Sequence, residues 1–301
     1  MRVVVAGATG LIGGALLPLL KARGHHVVAL VRDEAKAVDA DEVVVADALD
    51  PVAVRIALRA ARPDVVVHQL TALRQMSADA LEATARLRTE GTANLIVSAR
   101  EAGAGKLVVQ GISFATAPLG APVLDEDAPL YLDAPDPTWA RTVQAVAEME
   151  RLVLGTPDIA GTILRYGTLF GAQTQYDPDG PFGARVGRGK MPIPESATGV
   201  TSFVHVQDAA LAALAAVDSE VTGVFNIADD EPAEGSTWLP EYARMLGAPP
   251  PRVLPGDIAE KVLGWFTHHQ LTAMRGARTD RARAELGWKP TVSWRRGLAS
   301  G

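Results

Sequence analysis

A glycine-rich turn at the front of the chain constrains its fold more than any other feature. Residues 2–6 read Arg2-Val3-Val4-Val5-Ala6, and the chain then runs through Gly7-Ala8-Thr9-Gly10-Leu11-Ile12-Gly13-Gly14 into an apolar-periodic stretch that reaches Leu20 and Lys21. The β-branched run predicts a buried strand and the periodic stretch a helix. A turn of this kind between strand and helix binds a dinucleotide. Gly7 permits the sharp exit from the strand, Gly10 leaves room for a pyrophosphate, and Gly13 lets the helix pack close. The helix N-terminus then points free N–H groups and its positive dipole end at the phosphates. Gly7, Thr9, Gly10, Leu11, Ile12 and Gly13 are therefore expected at the cofactor.

The same N-terminus does not read as an export signal. Its apolar stretch is broken by Gly7, Gly10, Gly13, Gly14 and Pro18, runs straight into Lys21 and Arg23, and has no small-residue cleavage site. No segment elsewhere reaches the roughly 18 unbroken apolar residues of a membrane span. The 301 residues contain no cysteine, which excludes disulfides, thiolate metal sites and cysteine nucleophiles. The net charge of −6 comes from interleaved acids and bases, with no basic block to suit a nucleic acid. These features together lead us to expect a cytoplasmic enzyme with a small-molecule substrate, no nucleic-acid or membrane partner and no metal, as a monomer or homodimer.

Strand-like and helical runs alternate. Strands are expected at Val27–Val31, Glu42–Ala46, Asp64–His68, Leu107–Gln110, Thr162–Arg165 and Val224–Ile227. Helices are expected at Leu11–Arg23, Pro51–Ala61, Ala78–Ala102, Thr138–Leu154 and Val206–Val217. The alternation predicts an α/β fold, a doubly wound parallel Rossmann sheet. Proline and glycine cluster at Pro118–Pro137 and Gly171–Pro194, which predicts long loops over a ligand crevice. Residues 1–165 and 203–228 are assigned to the nucleotide-binding domain. Residues 166–202 and 229–301 are assigned to a small, mostly helical substrate-binding part.

Six segments in order resemble the short-chain dehydrogenase/reductase superfamily, in its extended, NAD(P)-dependent epimerase/dehydratase-like branch. They are Gly7–Gly13, Ala46–Asp50, Glu90–Leu95, Leu164–Gly171, Phe203–Ala210 and Glu285–Pro290. The resemblance implies that Asp47 and Ala48 lie by the adenine and that Leu70 and Thr71 pass the cofactor after the fourth strand. It places Gln110 and Ser113 at the end of strand five, and Tyr166, Gly167 and Thr168 at the nicotinamide end. Members of the branch usually carry a tyrosine followed four residues later by a lysine that lowers the phenol's pKa. The four tyrosines here, Tyr131, Tyr166, Tyr176 and Tyr242, are followed at that spacing by Pro135, Phe170, Gly180 and Leu246. Aligned through Glu148, the pair becomes Ala140 and Gln144; aligned through Glu150, it becomes Thr142 and Val146. In the first register Gln144 is the expected ribose contact. Arg88 stands where the branch commonly has a helix asparagine.

Arg32 ends the second strand, where an acidic residue would take a free ribose 2′-hydroxyl. An arginine suits a 2′-phosphate, so NADP(H) is the expected cofactor; the competing role is a surface pair with Asp33 or Glu34. Asp47 either caps its loop or accepts from the adenine amino group. His68 reads as a buried, satisfied histidine, His205 as structural, and His268-His269 as too poor in ligand neighbours for a metal. Asp125-Glu126-Asp127 reads as a solvated loop.

Ser113 and Tyr166 are the proton donors left to a chain without the dyad. Three functions remain open: an NADP(H)-dependent oxidoreductase, foremost a reductase; a non-redox isomerase, dehydratase or cyclase; and a cofactor-sensing regulator without turnover. The apolar loops suggest a neutral substrate.

Overall fold

In the computed structural model, residues 1–35, 39–73 and 77–299 are described. The strands of the main sheet are β1 (Arg2–Ala6), β2 (His26–Val31), β3 (Glu42–Val45), β4 (Val65–His68), β5 (Lys106–Ile112), β6 (Ala160–Tyr166) and β7 (Gly223–Ile227). Their order is β3-β2-β1-β4-β5-β6-β7, and every neighbouring pair is parallel. A parallel sheet covered on both faces favours near-continuous apolar runs, and β1, β2, β4 and β5 carry them at Val3–Ala6, Val27–Val31, Val65–Val67 and Leu107–Val109. The chain reverses its direction across the sheet between β1 and β4, so the crevice for a ligand opens at the carboxyl ends of those two strands.

The helices start where the sequence supplies caps. Asp50 accepts from the N–H groups of Val52 and Ala53 to open α2 (Pro51–Ala61). Ser77 opens α3 (Ala78–Arg86), and Asp136 opens α5 (Pro137–Leu154). The helix α1 (Leu11–Ala22) begins at Gly10 with no side-chain cap. One face of the sheet packs on α1 and the helix Val206–Asp218, the other on α2, α4 (Thr92–Glu101) and α5.

The stretch expected as one helix from Ala78 to Ala102 is interrupted. Residues Leu87–Gly91 form a π-turn between α3 and α4. The two proline- and glycine-rich stretches are mainly irregular chain, as expected of loops, with local anchors. Val123–Leu124 pairs with Gly276–Ala277, and the second stretch carries the helix Pro181–Gly187 and the buried Tyr176.

A separate core joins residues 170–203 to residues 233–298 around Phe170, Tyr176, Phe203, Trp238, Tyr242 and Trp294. Two buried carboxylates tie the C-terminal segment down. Asp208 accepts from Thr291 and Val292, and Asp229 from the backbone N–H of Trp294. No helix among the described residues is long and apolar enough to cross a membrane.

Candidate cofactor crevice

The glycine turn sits at the switch point. Gly7 has φ +94°, and a Cβ there would stand 2.6 Å from the carbonyl oxygen of Gln69, just past β4. Gly13 is equally closed, since its Cβ would meet Gly7 O at 2.2 Å. Gly10 differs. It is exposed, and the nearest atom to an added Cβ is Gly7 O at 3.2 Å. Gly10 N–H bonds back to Gly7 O, and Gly14 N–H bonds to Gly10 O. The first-turn N–H groups of α1 are thus aimed outward, with no acidic residue in that turn to answer them. A cavity of about 450 Å³ opens here, between Thr9, Gly10 and Leu11 on one side and Gln173, His205 and Gln207 on the other. Ile12 is buried under the turn. The Oε1 atom of buried Gln69 has no partner among the described residues.

Arg32 is exposed just past β2, and no ion pair joins it to Asp33 or Glu34; Asp33 accepts from Ala35 N–H. Asp47 caps its own loop by accepting from Leu49 N–H at 2.9 Å. Ala48 is buried, with its carbonyl accepting from Asn94 Nδ2. Past β4, Leu70 is half-buried and Thr71 exposed. His68 Nδ1 accepts from Leu70 N–H, so its Nε2–H faces Thr92 Oγ1 at 3.1 Å. Burial pulls the His68 pKa down to about 4 and keeps the ring neutral. The buried, satisfied reading of His68 describes this geometry.

At the other end of the crevice, Gln110 is half-buried on β5, and buried Ser113 opens the short 3₁₀ turn after that strand. Thr168 is half-buried. Gly167 packs on backbone, since a Cβ there would stand 2.5 Å from Ser202 O. Tyr166 is 1% exposed within the core beneath α1, and its hydroxyl accepts from Gln69 Nε2 at 3.3 Å. Burial pushes its pKa well above the ordinary phenol value, so the hydroxyl stays protonated at neutral pH. Gln144 lies on the exposed side of α5 and donates to Leu132 O. Thr142, Val146 and Glu150 lie on the buried side. Glu150 makes a two-pronged ion pair with Arg165 of β6, both contacts at 2.7 Å. Glu148 instead pairs with exposed Arg151.

The contacts also place other residues singled out in the sequence. Glu126 is buried, accepts from Asn226 N–H on edge strand β7, and its carbonyl accepts from Arg165. That segment is therefore a strut and not a solvated loop. His205 caps the helix that follows it, with Nδ1 accepting from Gln207 N–H. His269 stacks on Trp265 at 4.7 Å. Among the described residues no cluster of ligating side chains suits a metal. An aromatic group closes the carboxyl edge of β5. Phe114 lies 6.0 Å from Trp139, and Trp139 lies 4.8 Å from Phe266.

Comparison with known proteins agrees with this architecture. Residues 3–228 match the NAD dependent epimerase/dehydratase family. A Streptomyces protein called 3-diazoavenalumate denitrifying reductase is 64% identical over 99% of both chains. The dTDP-4-dehydrorhamnose reductase of Streptomyces griseus is 30% identical over 84% of this chain and 79% of its own length. Among solved structures, the UDP-glucose 4-epimerase of Thermotoga maritima with UDP-glucose superposes with a TM-score of 0.78 at 19% identity, over 99% of this chain and 96% of that one. The Thermus thermophilus UDP-glucose 4-epimerase complex with NAD has a TM-score of 0.73 at 24% identity, over 99% and 96%. A strand, glycine turn and uncapped helix at the switch point, with a family match over most of the chain, lead to one conclusion: this protein is an enzyme of the NAD-dependent epimerase/dehydratase family.

Proposed function

We propose that the chain is an NADP(H)-dependent reductase that removes a diazo group from an aromatic substrate as dinitrogen. One observation carries the reading: the chain has the glycine turn and uncapped helix that suit a dinucleotide, while none of its tyrosines is followed four residues later by the lysine that would make it the usual proton donor. The Glu150–Arg165 pair favours the register in which Thr142 and Val146 occupy the places of the tyrosine and lysine. Thr142 donates its hydroxyl back to Thr138 O within its own helix. That register takes Gln144 out of the cofactor's reach. A ketone reductase needs an acid at that point. A diazonium reductase does not. The reaction needs one hydride, which the dihydronicotinamide supplies when bound. An R–N₂⁺ cation that gains it becomes R–H and N₂, so atoms and charge balance without a proton from the protein. The 64% identical relative carries a name with the same chemistry.

The chain's own residues fit the cofactor. The N–H groups at Gly10, Leu11 and Ile12 would bind the pyrophosphate, with Gly7, Thr9 and Gly13 shaping the cradle. Arg32 would hold the 2′-phosphate. Ala48 would flank the adenine, with Asp47 fixing the loop that carries it. Leu70 and Thr71 would pass the ribose. Gln69 Oε1 would accept from a cofactor hydroxyl. Gln110, Ser113, Gly167 and Thr168 would border the nicotinamide. Phe114, Trp139 and Phe266 would stack on a planar substrate and keep water from the reacting cation. Residues 166–202 and 229–301 would carry most of the substrate-binding surface.

The test is direct. The enzyme is incubated with NADPH and ¹⁵N-labelled 4-carboxybenzenediazonium, with heat-denatured enzyme as the control for uncatalysed reduction. Cofactor oxidation is read by absorbance and ¹⁵N₂ by mass spectrometry. One N₂ released per NADPH oxidised, above the control, is expected. Tight NADPH binding with no N₂ release above the control overturns the reading.

A further inference from the structure

The helix that follows the Thr71 loop carries a cation with nothing to neutralise it. Arg88 is 3% exposed. Among the described residues no carboxylate pairs with its guanidinium, and desolvation is the one cause that moves its pKa. The other buried cations are answered: Arg165 by Glu150 and the Glu126 carbonyl, Lys106 by the carbonyl of Ser219. Desolvation pulls the Arg88 pKa down to about 10, which leaves it charged at neutral pH. An unpaired buried charge is among the least favourable features a fold can hold, and it persists where a ligand completes it.

Its position follows from its neighbours. One turn before it, Thr84 Oγ1 accepts from Ala72 N–H at 3.0 Å; one turn after it, Thr92 Oγ1 meets His68 Nε2. Arg88 therefore stands between these anchors, over the segment that leaves β4 at the carboxyl edge of the sheet. The turn that carries it packs against α5. That turn is the π-turn Leu87–Gly91, a local widening that recurs at functional sites. Its neighbour His68 is a neutral donor on this side and offers no negative charge. The cofactor's phosphates belong at the α1 turn, and its nicotinamide ribose offers only neutral hydroxyls. The remaining source of a full negative charge is the substrate. The aromatic group of Phe114, Trp139 and Phe266 borders the same edge, and Trp139 Nε1 is a buried donor without a partner among the described residues.

We propose that Arg88 binds the carboxylate of an aromatic acid at the carboxyl edge of β4 and β5, and so selects an anionic substrate. This rests on the reading of that edge as the substrate site, and it replaces the expectation of a neutral substrate. The charge the family's lysine would bring on α5 is here supplied from the opposite helix, and it is directed to the substrate.

The experiment is calorimetric titration of NADP⁺-saturated protein with cinnamate and with uncharged cinnamamide. Wild type should bind cinnamate at least about tenfold tighter, as for the gain of a hydrogen bond to a charged group. Arg88→Met should bring the ratio to about one, and Arg88→Lys should restore part of it. Arg88→Met should also melt at a higher temperature than wild type without ligand, because it removes an unanswered charge. Arg88→Gln gives the same binding readout if methionine is not tolerated. Equal binding of the two ligands by wild type overturns the proposal, as does a preference that survives in Arg88→Met or Arg88→Gln. Loss of NADP⁺ affinity in these variants assigns the charge to the cofactor and overturns it as well. Failure of wild type to bind NADP⁺ would sink the reductase reading instead, and the cinnamate preference would then be read on the protein alone.

Discussion

The two ends of the crevice follow different rules. At the phosphate end, backbone does the work. Three glycines, an uncapped helix and a carbonyl 2.6 Å from a missing Cβ leave almost no freedom in which residues stand there. At the other end, side chains line the crevice, and no tyrosine of this chain is followed four residues later by a lysine. Thr142 and Val146 line the buried face of α5, Tyr166 is sunk in the core, and Arg88 lies buried in the π-turn that packs against α5.

The largest expected effects test whether the phosphate end is as strictly divided as its geometry implies. Gly13→Val should destabilise the protein by several kcal/mol, because even a Cβ would lie 2.2 Å from Gly7 O. Gly10→Val should fold, since its backbone is in the extended region and its position is exposed. It should lose NADPH affinity by about a hundredfold or more, because the side chain occupies the phosphate's place. Denaturant titration and calorimetry read the two effects. A Gly10→Val protein with normal cofactor affinity would remove the phosphate from this turn.

A second effect belongs to the nicotinamide end and appears as stability. The folded His68 has a pKa near 4 against an ordinary 6.5. Between these values the unfolded chain takes up a proton that the folded chain refuses, so stability falls as pH drops from 6.5 towards 4. The full contribution is about 3 kcal/mol. His68→Gln should flatten that part of the stability curve. An unchanged slope in the variant would show that the ring is protonated in the folded protein.

Arg32 tests the selectivity of the phosphate end. Arg32→Ala should weaken NADPH binding by about 1–3 kcal/mol, the range for hydrogen bonds to charged groups, and leave NADH nearly unchanged. Equal loss for both cofactors would place Arg32 away from the 2′-phosphate.

The same contrast marks what could be read from the sequence. The sheet was legible because its strands are apolar, β-branched runs that alternate with helical stretches. Gly7, Gly10 and Gly13 were legible because only glycine meets such backbone demands. The nicotinamide end depended on facts that periodicity does not carry. The register of α5 turned on whether Glu148 or Glu150 faces inward, and the answer comes from Arg165, fifteen residues beyond Glu150 on another strand. The π-turn has no composition of its own, so Arg88 read as a helix residue and its lack of a partner was invisible. Glu126 sat in an acidic triplet that looked solvated, and its partner Asn226 is 100 residues away.

The smallest expected effect decides whether the nicotinamide end is free of proton chemistry. Ser113 and Tyr166 stand at strand ends, and in a ketone reductase without the dyad one of them would have to act as the acid. Tyr166 is a poor candidate by geometry, since it is fully buried and hydrogen-bonded to Gln69. Its change to Phe should cost about 1 kcal/mol of stability, the worth of one neutral hydrogen bond. Ser113 is better placed, in the turn directly after β5. Reduction of a diazonium cation to R–H and N₂ still asks nothing of it. Ser113→Ala and Tyr166→Phe should therefore each keep kcat within about threefold of wild type, well short of the loss that follows removal of a general acid. The kcat of wild type should stay flat from about pH 6 to about pH 9, because no essential acid titrates there. A fall of about a hundredfold in Ser113→Ala, or a kcat that drops above a pKa in that window, would return a proton donor to this end of the crevice and favour a carbonyl or imine substrate instead.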